Sequence, residues 1–173
     1  MYNKIETVNP FASPALAIRQ STLNGNSKNE EIIRGLYAVA EKQDAQAFAN
    51  LFSEDGHFWD VSAGINYFGQ ETARVVDTYA QAFPDMHREL YSMWAVGDMV
   101  FVELSLNGTQ NGPLKFAMGD LPATNKKMST PCFDVFTLKD GKVTSFHCYT
   151  AATQLLGQLG VLGNLGSSLV APK

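Results

Sequence analysis

Cys132-Phe133-Asp134-Val135-Phe136-Thr137-Leu138-Lys139-Asp140-Gly141-Lys142-Val143-Thr144-Ser145-Phe146-His147-Cys148-Tyr149 is the stretch that decides the fold. Two alternating segments flank Asp140-Gly141, and Asp-Gly between such segments marks a two-residue hairpin loop, because a type I′ turn needs positive φ at both central positions. Pairing Lys139 with Lys142 and counting outward sets Leu138 opposite Val143, Phe136 opposite Ser145, Asp134 opposite His147 and Cys132 opposite Tyr149. In this register Asp134 and His147 share a face, with Cβ atoms about 4.5–5.5 Å apart. A carboxylate beside an imidazole holds the ring's tautomer and keeps a group that titrates near neutrality available for proton transfer. The other face carries Phe133, Val135, Thr137, Thr144, Phe146 and Cys148, so both faces read as covered, and the polar pair between Phe136 and Tyr149 reads as a pocket lining. The same register sends Cys132 and Cys148 to opposite faces, where they cannot bridge, and predicts two free thiols.

The 173-residue chain is long enough for one domain with a proper core, and 45% hydrophobic and 17% charged residues describe a globular chain. Its 13 Lys and Arg are scattered and outnumbered by 17 acids, for a net charge of −4, which argues against nucleic acid as a partner. No apolar run reaches the roughly 18–20 residues that a bilayer crossing needs, and residues 1–26 lack a basic region followed by an apolar stretch, so the expectation is a cytoplasmic protein without membrane contact.

Residues 1–26, with Asn9-Pro10, Ser13-Pro14 and Asn24-Gly25-Asn26, have turn chemistry and read as an N-terminal arm. Ser27 and Glu30 offer a capping box for a helix whose stripe is Ile32, Ile33, Leu36, Val39 and Ala40. Asp44 caps a second helix carrying Ala47, Phe48, Leu51 and Phe52. Phe52–Gly56 reads as its stop, 57–61 as a short strand, 64–69 as a loop and 70–83 as a helix ended by Pro84. Strands are predicted over 86–96 and 99–107 around Gly97-Asp98. Residues 108–125 read as irregular, the hairpin follows, and a weak glycine-broken helix spans 151–162. Helices first and an antiparallel meander afterwards predict an α+β layer: a curved sheet with helices on one face and a ligand-sized space between them.

Several motifs carry a resemblance: Phe83-Pro84-Asp85, Gly108-Thr109-Gln110-Asn111-Gly112-Pro113, Leu121-Pro122-Ala123-Thr124-Asn125-Lys126-Lys127, and Asp134-Val135-Phe136 followed by Asp140-Gly141-Lys142-Val143. Over residues 28–162 the chain resembles the SnoaL-like polyketide cyclases of the nuclear-transport-factor-2-like superfamily. The resemblance implies a cone-shaped curved antiparallel sheet with about three helices on its concave face, a deep apolar cavity, no metal or organic cofactor, and a homodimer. It divides the chain into the arm 1–26, a SnoaL-like domain 27–165 and a tail 166–173. In such cyclases an acid near the end of the last strand and a histidine on the preceding strand act on the substrate's enol or enolate. The preceding-strand position falls on Asp134, whereas the last strand has no carboxylate from Ser145 to Ala151 and carries His147 where the family often has tryptophan. Asp134 and His147 are therefore the expected catalytic pair with roles exchanged.

Further positions are weighed as substrate contacts. Glu103, opposite Ser92 and on the face of Trp94, Phe101 and Arg88, is either a cavity acid paired with Arg88 or a solvent-facing charge. Asp60, beside Trp59 on the first strand, is either at the cavity mouth or a turn cap. Tyr37, Tyr79 and Tyr91 are either donors to a carbonyl or core residues with edge hydroxyls. His57 and His87 read as loop and strand-entry residues. The three histidines are far apart, without paired-cysteine or His-Glu-x-x-His spacing, which argues against a metal; phosphate-binding and serine-elbow motifs are missing too. The leading expectation is a small cofactor-independent enzyme of the cyclase or isomerase type acting on an apolar carbonyl compound. The alternatives are a non-catalytic small-molecule binder and an accessory or dimerisation module.

Overall fold

The structure is a computed structural model, described here for residues 27–163; the arm 1–26, the tail 166–173 and the Ser27 side chain of the capping box lie outside the described residues. Helix α1 (Ser27–Glu41) buries Ile33, Leu36, Tyr37 and Ala40. That is the i, i+3, i+4, i+7 stripe of an amphipathic helix, with Tyr37 inside it and Ile32 and Val39 only half-buried at its margin. Helix α2 (Ala45–Ala49) begins where the Asp44 carboxylate accepts the Ala47 amide at 2.9 Å. A 3₁₀ turn (Gly69–Thr72) leads into α3 (Ala73–Ala82), and α4 (Ala152–Gln158) follows the last strand.

Six strands form one sheet in the order β2-β1-β8-β7-β4-β3. They are β1 (Phe52–Asp60), β2 (Ile65–Phe68), β3 (His87–Val96), β4 (Met99–Thr109), β7 (Lys127–Lys139) and β8 (Lys142–Thr150). All neighbours are antiparallel except β1 and β8, which run parallel. Three expectations are corrected. Residues 52–56 extend β1 rather than stopping a helix, 65–68 form β2 between the positive-φ residues Gly64 and Gly69, and the irregular 108–125 segment contains a small ribbon of β5 (Leu114–Phe116) and β6 (Gly119–Leu121).

The decisive correction concerns register. The turn is as read, with Asp140 at φ 52° and Gly141 at φ 78° and Lys139 paired with Lys142. Thr144 is then an extra residue: Leu138 pairs with Val143 but Thr137 with Ser145, so Asp134 faces Cys148 and Val135 faces His147. The bulged Thr144 hydroxyl donates to the Thr137 carbonyl at 3.1 Å. The cause is the spacing of Val143 and Phe146. Three residues apart, they would point to opposite faces of a regular strand, yet both are buried, Val143 at 0% and Phe146 at 5% exposure. A bulge turns both inward, and burying one phenylalanine is worth about 1.5–3 kcal/mol.

The same event occurs in β3. Leu90 pairs with Leu104 and Ser92 with Glu103, leaving Tyr91 as the extra residue. Leu90 and Met93, again three apart, both turn toward the helices, and Arg88 follows them inward, away from Trp94 and Glu103. A glycine makes room at the other edge of β8: a Cβ on Gly56 would lie 2.7 Å from the Val143 carbonyl oxygen, so β1 approaches there only without a side chain.

The segments that carry the family resemblance have structural work. Asp85 accepts the Thr109 amide at 2.6 Å and its hydroxyl at 2.8 Å, tying the end of α3 to β4. Those bonds hold the Asp85 carboxyl below the usual carboxylate range. Gln110, fully buried, donates to the carbonyls of Gly112, Leu121 and Pro122 and accepts from the Thr124 hydroxyl at 2.7 Å, gathering the loop around one amide. Gln110→Leu leaves those groups without their partner and is expected to lower unfolding free energy by about 2 kcal/mol or more. Urea denaturation would show it, and a loss of under half a kcal/mol contradicts the role.

Candidate functional site

The two bulges decide which side chains meet beneath the helices. On the inner face, Asp60 of β1, Cys148 of β8 and Asp134 of β7 are consecutive register partners. On the outer face the corresponding row is Trp59, His147, Val135, Phe101 and Trp94, and beside it run Tyr149, Phe133 and Glu103. Asp134 and His147 therefore lie on opposite faces of the sheet, and the expected acid–imidazole pair does not exist. Of the predicted residues, Asp134, Phe136, Asp60, Tyr79 and Arg88 lie on the helix-covered side. His147, Trp59, Trp94, Glu103 and Tyr149 lie on the other.

Asp134 is 2% exposed and satisfied on both oxygens. The Tyr37 hydroxyl donates to Oδ2 at 2.7 Å, and the Cys132 thiol donates to Oδ1 at 3.2 Å. Burial pushes its carboxyl up to about 6, against the opposing pull of Tyr37, the two thiols and the more distant Arg88 guanidinium. Tyr37, also fully enclosed, is pushed well above the ordinary tyrosine value, first by burial and then by the adjacent carboxylate. Phe136 packs edge-on to Tyr37 and at 4.1 Å centroid distance from Phe146, fixing the walls around the pair.

A second carboxylate–phenol pair stands two strands away. The Tyr79 hydroxyl donates to Asp60 Oδ2 at 2.6 Å, and the Ala63 amide donates to Oδ1 at 3.0 Å. Asp60 thus closes the turn after β1 and holds a tyrosine that lines the cavity, without lining the cavity itself. Burial raises the Asp60 carboxyl, while these bonds lower it.

The cavity has walls of Leu36, Phe48, Phe58, Val75, Val76 and Phe146, with Tyr37, Tyr79, Arg88, Asp134 and Cys148 as its polar groups. It encloses about 40 Å³, room for a few waters at roughly 10–15 Å³ each. Arg88 pairs with Glu41 of α1 at 3.5 Å, correcting the Glu103 partnership. His87 also meets Glu41, at 3.3 Å. Tyr91 donates to Ser105 at 2.9 Å and is no part of the cavity.

The thiols are likewise corrected. Cys132 and Cys148 share the inner face, with sulfurs 3.4 Å apart, both reduced and buried. Across the sheet, His57 Nε2 lies 3.1 Å from His147 Nε2, and Trp59 stands edge-on to the His147 ring at 5.2 Å. Desolvation and the neighbouring His57 lower the His147 pKa. Sequence reasoning missed the Tyr37–Asp134 bond and the Cys132–Cys148 contact; the signal available was the three-residue spacing of Val143 and Phe146.

Among curated proteins none matches the chain. Solved structures share its fold at low identity. A protein with a ketosteroid isomerase-like fold from Catenulispora acidiphila, in complex with trimethylamine, has a TM-score of 0.65 at 19% identity, covering 76% of this chain and 93% of that one. A candidate SnoaL-like polyketide cyclase from Jannaschia sp. CCS1 gives 0.67 at 19%, covering 81% and 96%. SalBIII, an epoxide hydrolase/cyclase-like enzyme with a role in pyran ring formation in polyether salinomycin, gives 0.61 at 20%, covering 74% and 94%. Residues 33–146 match the model of the SnoaL-like domain, and with this sheet and these helices the chain belongs to that family.

Proposed function

We propose that the protein performs cofactor-independent acid–base chemistry, of the cyclase or isomerase type, on an apolar carbonyl compound bound over Asp134. One observation carries this reading: a fully buried carboxyl with a pKa near 6, joined to a phenol, opens on an apolar cavity. Near neutrality such a group exchanges between its two forms, the condition under which one side chain both takes and returns a proton. As carboxylate, Asp134 accepts the Tyr37 hydroxyl and serves as base. Once protonated, Asp134 donates to the Tyr37 oxygen, and the Tyr37 O–H is released toward a ligand oxygen that gains negative charge. The apolar walls keep water from protonating the enolate at the wrong carbon. Tyr79, oriented by Asp60, supplies a second polar contact across the cavity. His147 takes no part, being on the far side of the sheet.

The test is deuterium wash-in at the α-carbon of apolar cyclic ketones in D₂O, followed by NMR. Asp134→Asn is expected to slow exchange by about 10²–10⁴-fold and Tyr37→Phe by about 10²–10³-fold, whereas His147→Phe leaves it unchanged. Wild-type protein that catalyses no exchange, or His147→Phe alone abolishing it, removes the reading.

A pH prediction accompanies it. The Asp134 carboxyl is raised on folding, so the folded chain holds this proton more tightly than the unfolded one. Its contribution favours folding below the unfolded value of 3.8 and is lost as pH rises from there through about 6. Asp134→Asn should flatten that limb, seen as a mutant-minus-wild-type stability difference that grows between those pH values and levels above them. A difference independent of pH contradicts the assignment.

We propose further that a second copy covers the outer face, where Trp59, Phe133 and Tyr149 are 38–43% exposed in one row-spanning aromatic patch. Phe133→Glu places a charge within this patch and is expected to convert a dimer to a monomer by light scattering; a wild-type monomer at micromolar concentration sinks the proposal.

A further inference from the structure

The buried thiols have no task in proton transfer, and their arrangement has a chemistry of its own. Cys132 Sγ, Cys148 Sγ and an Asp134 carboxylate oxygen all lie within 4.8 Å of one another. The sulfurs are 3.4 Å apart and Cys132 Sγ is 3.2 Å from Oδ1. A tetrahedral zinc with bonds of about 2.3 Å to sulfur and about 2.0 Å to oxygen holds its ligands roughly 3.5–3.8 Å apart, so small movements open the cluster around an ion. A disulfide fits less well. Cys132 is opposite Thr150 and Cys148 opposite Asp134, which makes the thiols diagonal neighbours. Diagonal positions stand about 7–8 Å apart, beyond the Cα separation at which a disulfide closes without backbone movement.

The surroundings suit a cation too. Asp134 Oδ2 accepts Tyr37, leaving Oδ1 for a metal and giving the ligating carboxylate the outer hydrogen bond that orients such groups. The Thr150 hydroxyl lies 3.7 and 3.6 Å from the two sulfurs, placed to donate to thiolates. Two thiolates and a carboxylate with a dication leave one negative charge, and Arg88 lines the same cavity. Cys148 and Asp134 both line that cavity.

We propose that Cys132, Cys148 and Asp134 form a binding site for a thiophilic dication, with Zn²⁺ the expected occupant. The ion replaces the two thiol protons, which leave to solvent, and takes Asp134 in its ionised form. The site is independent of the ketone reading, because its test needs no activity.

Co²⁺ is titrated into the reduced, full-length protein as a spectroscopic stand-in, with Zn²⁺ as competitor. Expected are one ion per chain, a near-ultraviolet thiolate-to-cobalt charge-transfer band, visible bands of a tetrahedral site, and bleaching by Zn²⁺. Cys132→Ser and Cys148→Ser are each expected to abolish the charge-transfer intensity of a two-thiolate site, with circular dichroism confirming that they fold. Tyr37→Phe, which keeps all three ligands, weakens binding by about 10–100-fold. Absence of the band in wild type at millimolar Co²⁺, its survival in both serine variants, or a mass two hydrogens lighter in the reduced preparation, showing a disulfide, overturns the site.

Discussion

Two extra residues in the sheet, Tyr91 in β3 and Thr144 in β8, set the chemistry of this molecule. In a regular strand, side chains alternate, and residues three apart point in opposite directions. Leu90 with Met93 and Val143 with Phe146 break that rule, and the chain accommodates each pair with a bulge. Beyond each bulge every side chain changes face. In β8 the change brings Cys148 inside and sends His147 out; in β3 it brings Arg88 inside. The gain is hydrophobic burial, yet the outcome is chemical, because the polar groups carried along with the apolar pairs are the ones that meet beneath the helices.

What they meet is a carboxyl placed at high electrostatic cost. Asp134 is tolerable inside because both oxygens have donors, and its proton affinity rises because two hydrogen bonds replace hydration incompletely. Placing it also depends on α1, since Tyr37 reaches the carboxylate only because its own helical stripe, from Ile33 to Ala40, packs on the sheet. The burial that raises the Asp134 carboxyl also makes its ionised form unfavourable to the fold. A cation bridging Asp134 and the thiols would relieve the same strain by another route, supplying positive charge where the resting protein holds protons.

The fold was legible to different depths along the chain. The stripe of α1, the Asp44 cap, the Asp140-Gly141 turn and the strands around Gly97-Asp98 all rest on contacts within a few residues, and the structure places them as expected. The short β2 and the β5–β6 ribbon escaped notice because strands of three or four residues have too little pattern of their own and form against partners already in place. Gln110 was legible as part of a family loop, but its role as the amide around which residues 112–124 gather exists only when those carbonyls converge.

By itself the sequence determined the α+β architecture, the SnoaL-like family and the presence of Asp134, Tyr37, Asp60 and Tyr79, since periodicity, capping and turn chemistry are local and survive without the rest of the chain. Only the tertiary structure decided who partners whom: Tyr37 rather than His147 for Asp134, Glu41 rather than Glu103 for Arg88, and Cys132 within contact of Cys148. The physical reason is parity. Which face a strand residue occupies depends on the count of residues since the last pairing, so one inserted threonine, favoured by the burial of phenylalanine, reassigns the side chains of Asp134's neighbouring strand.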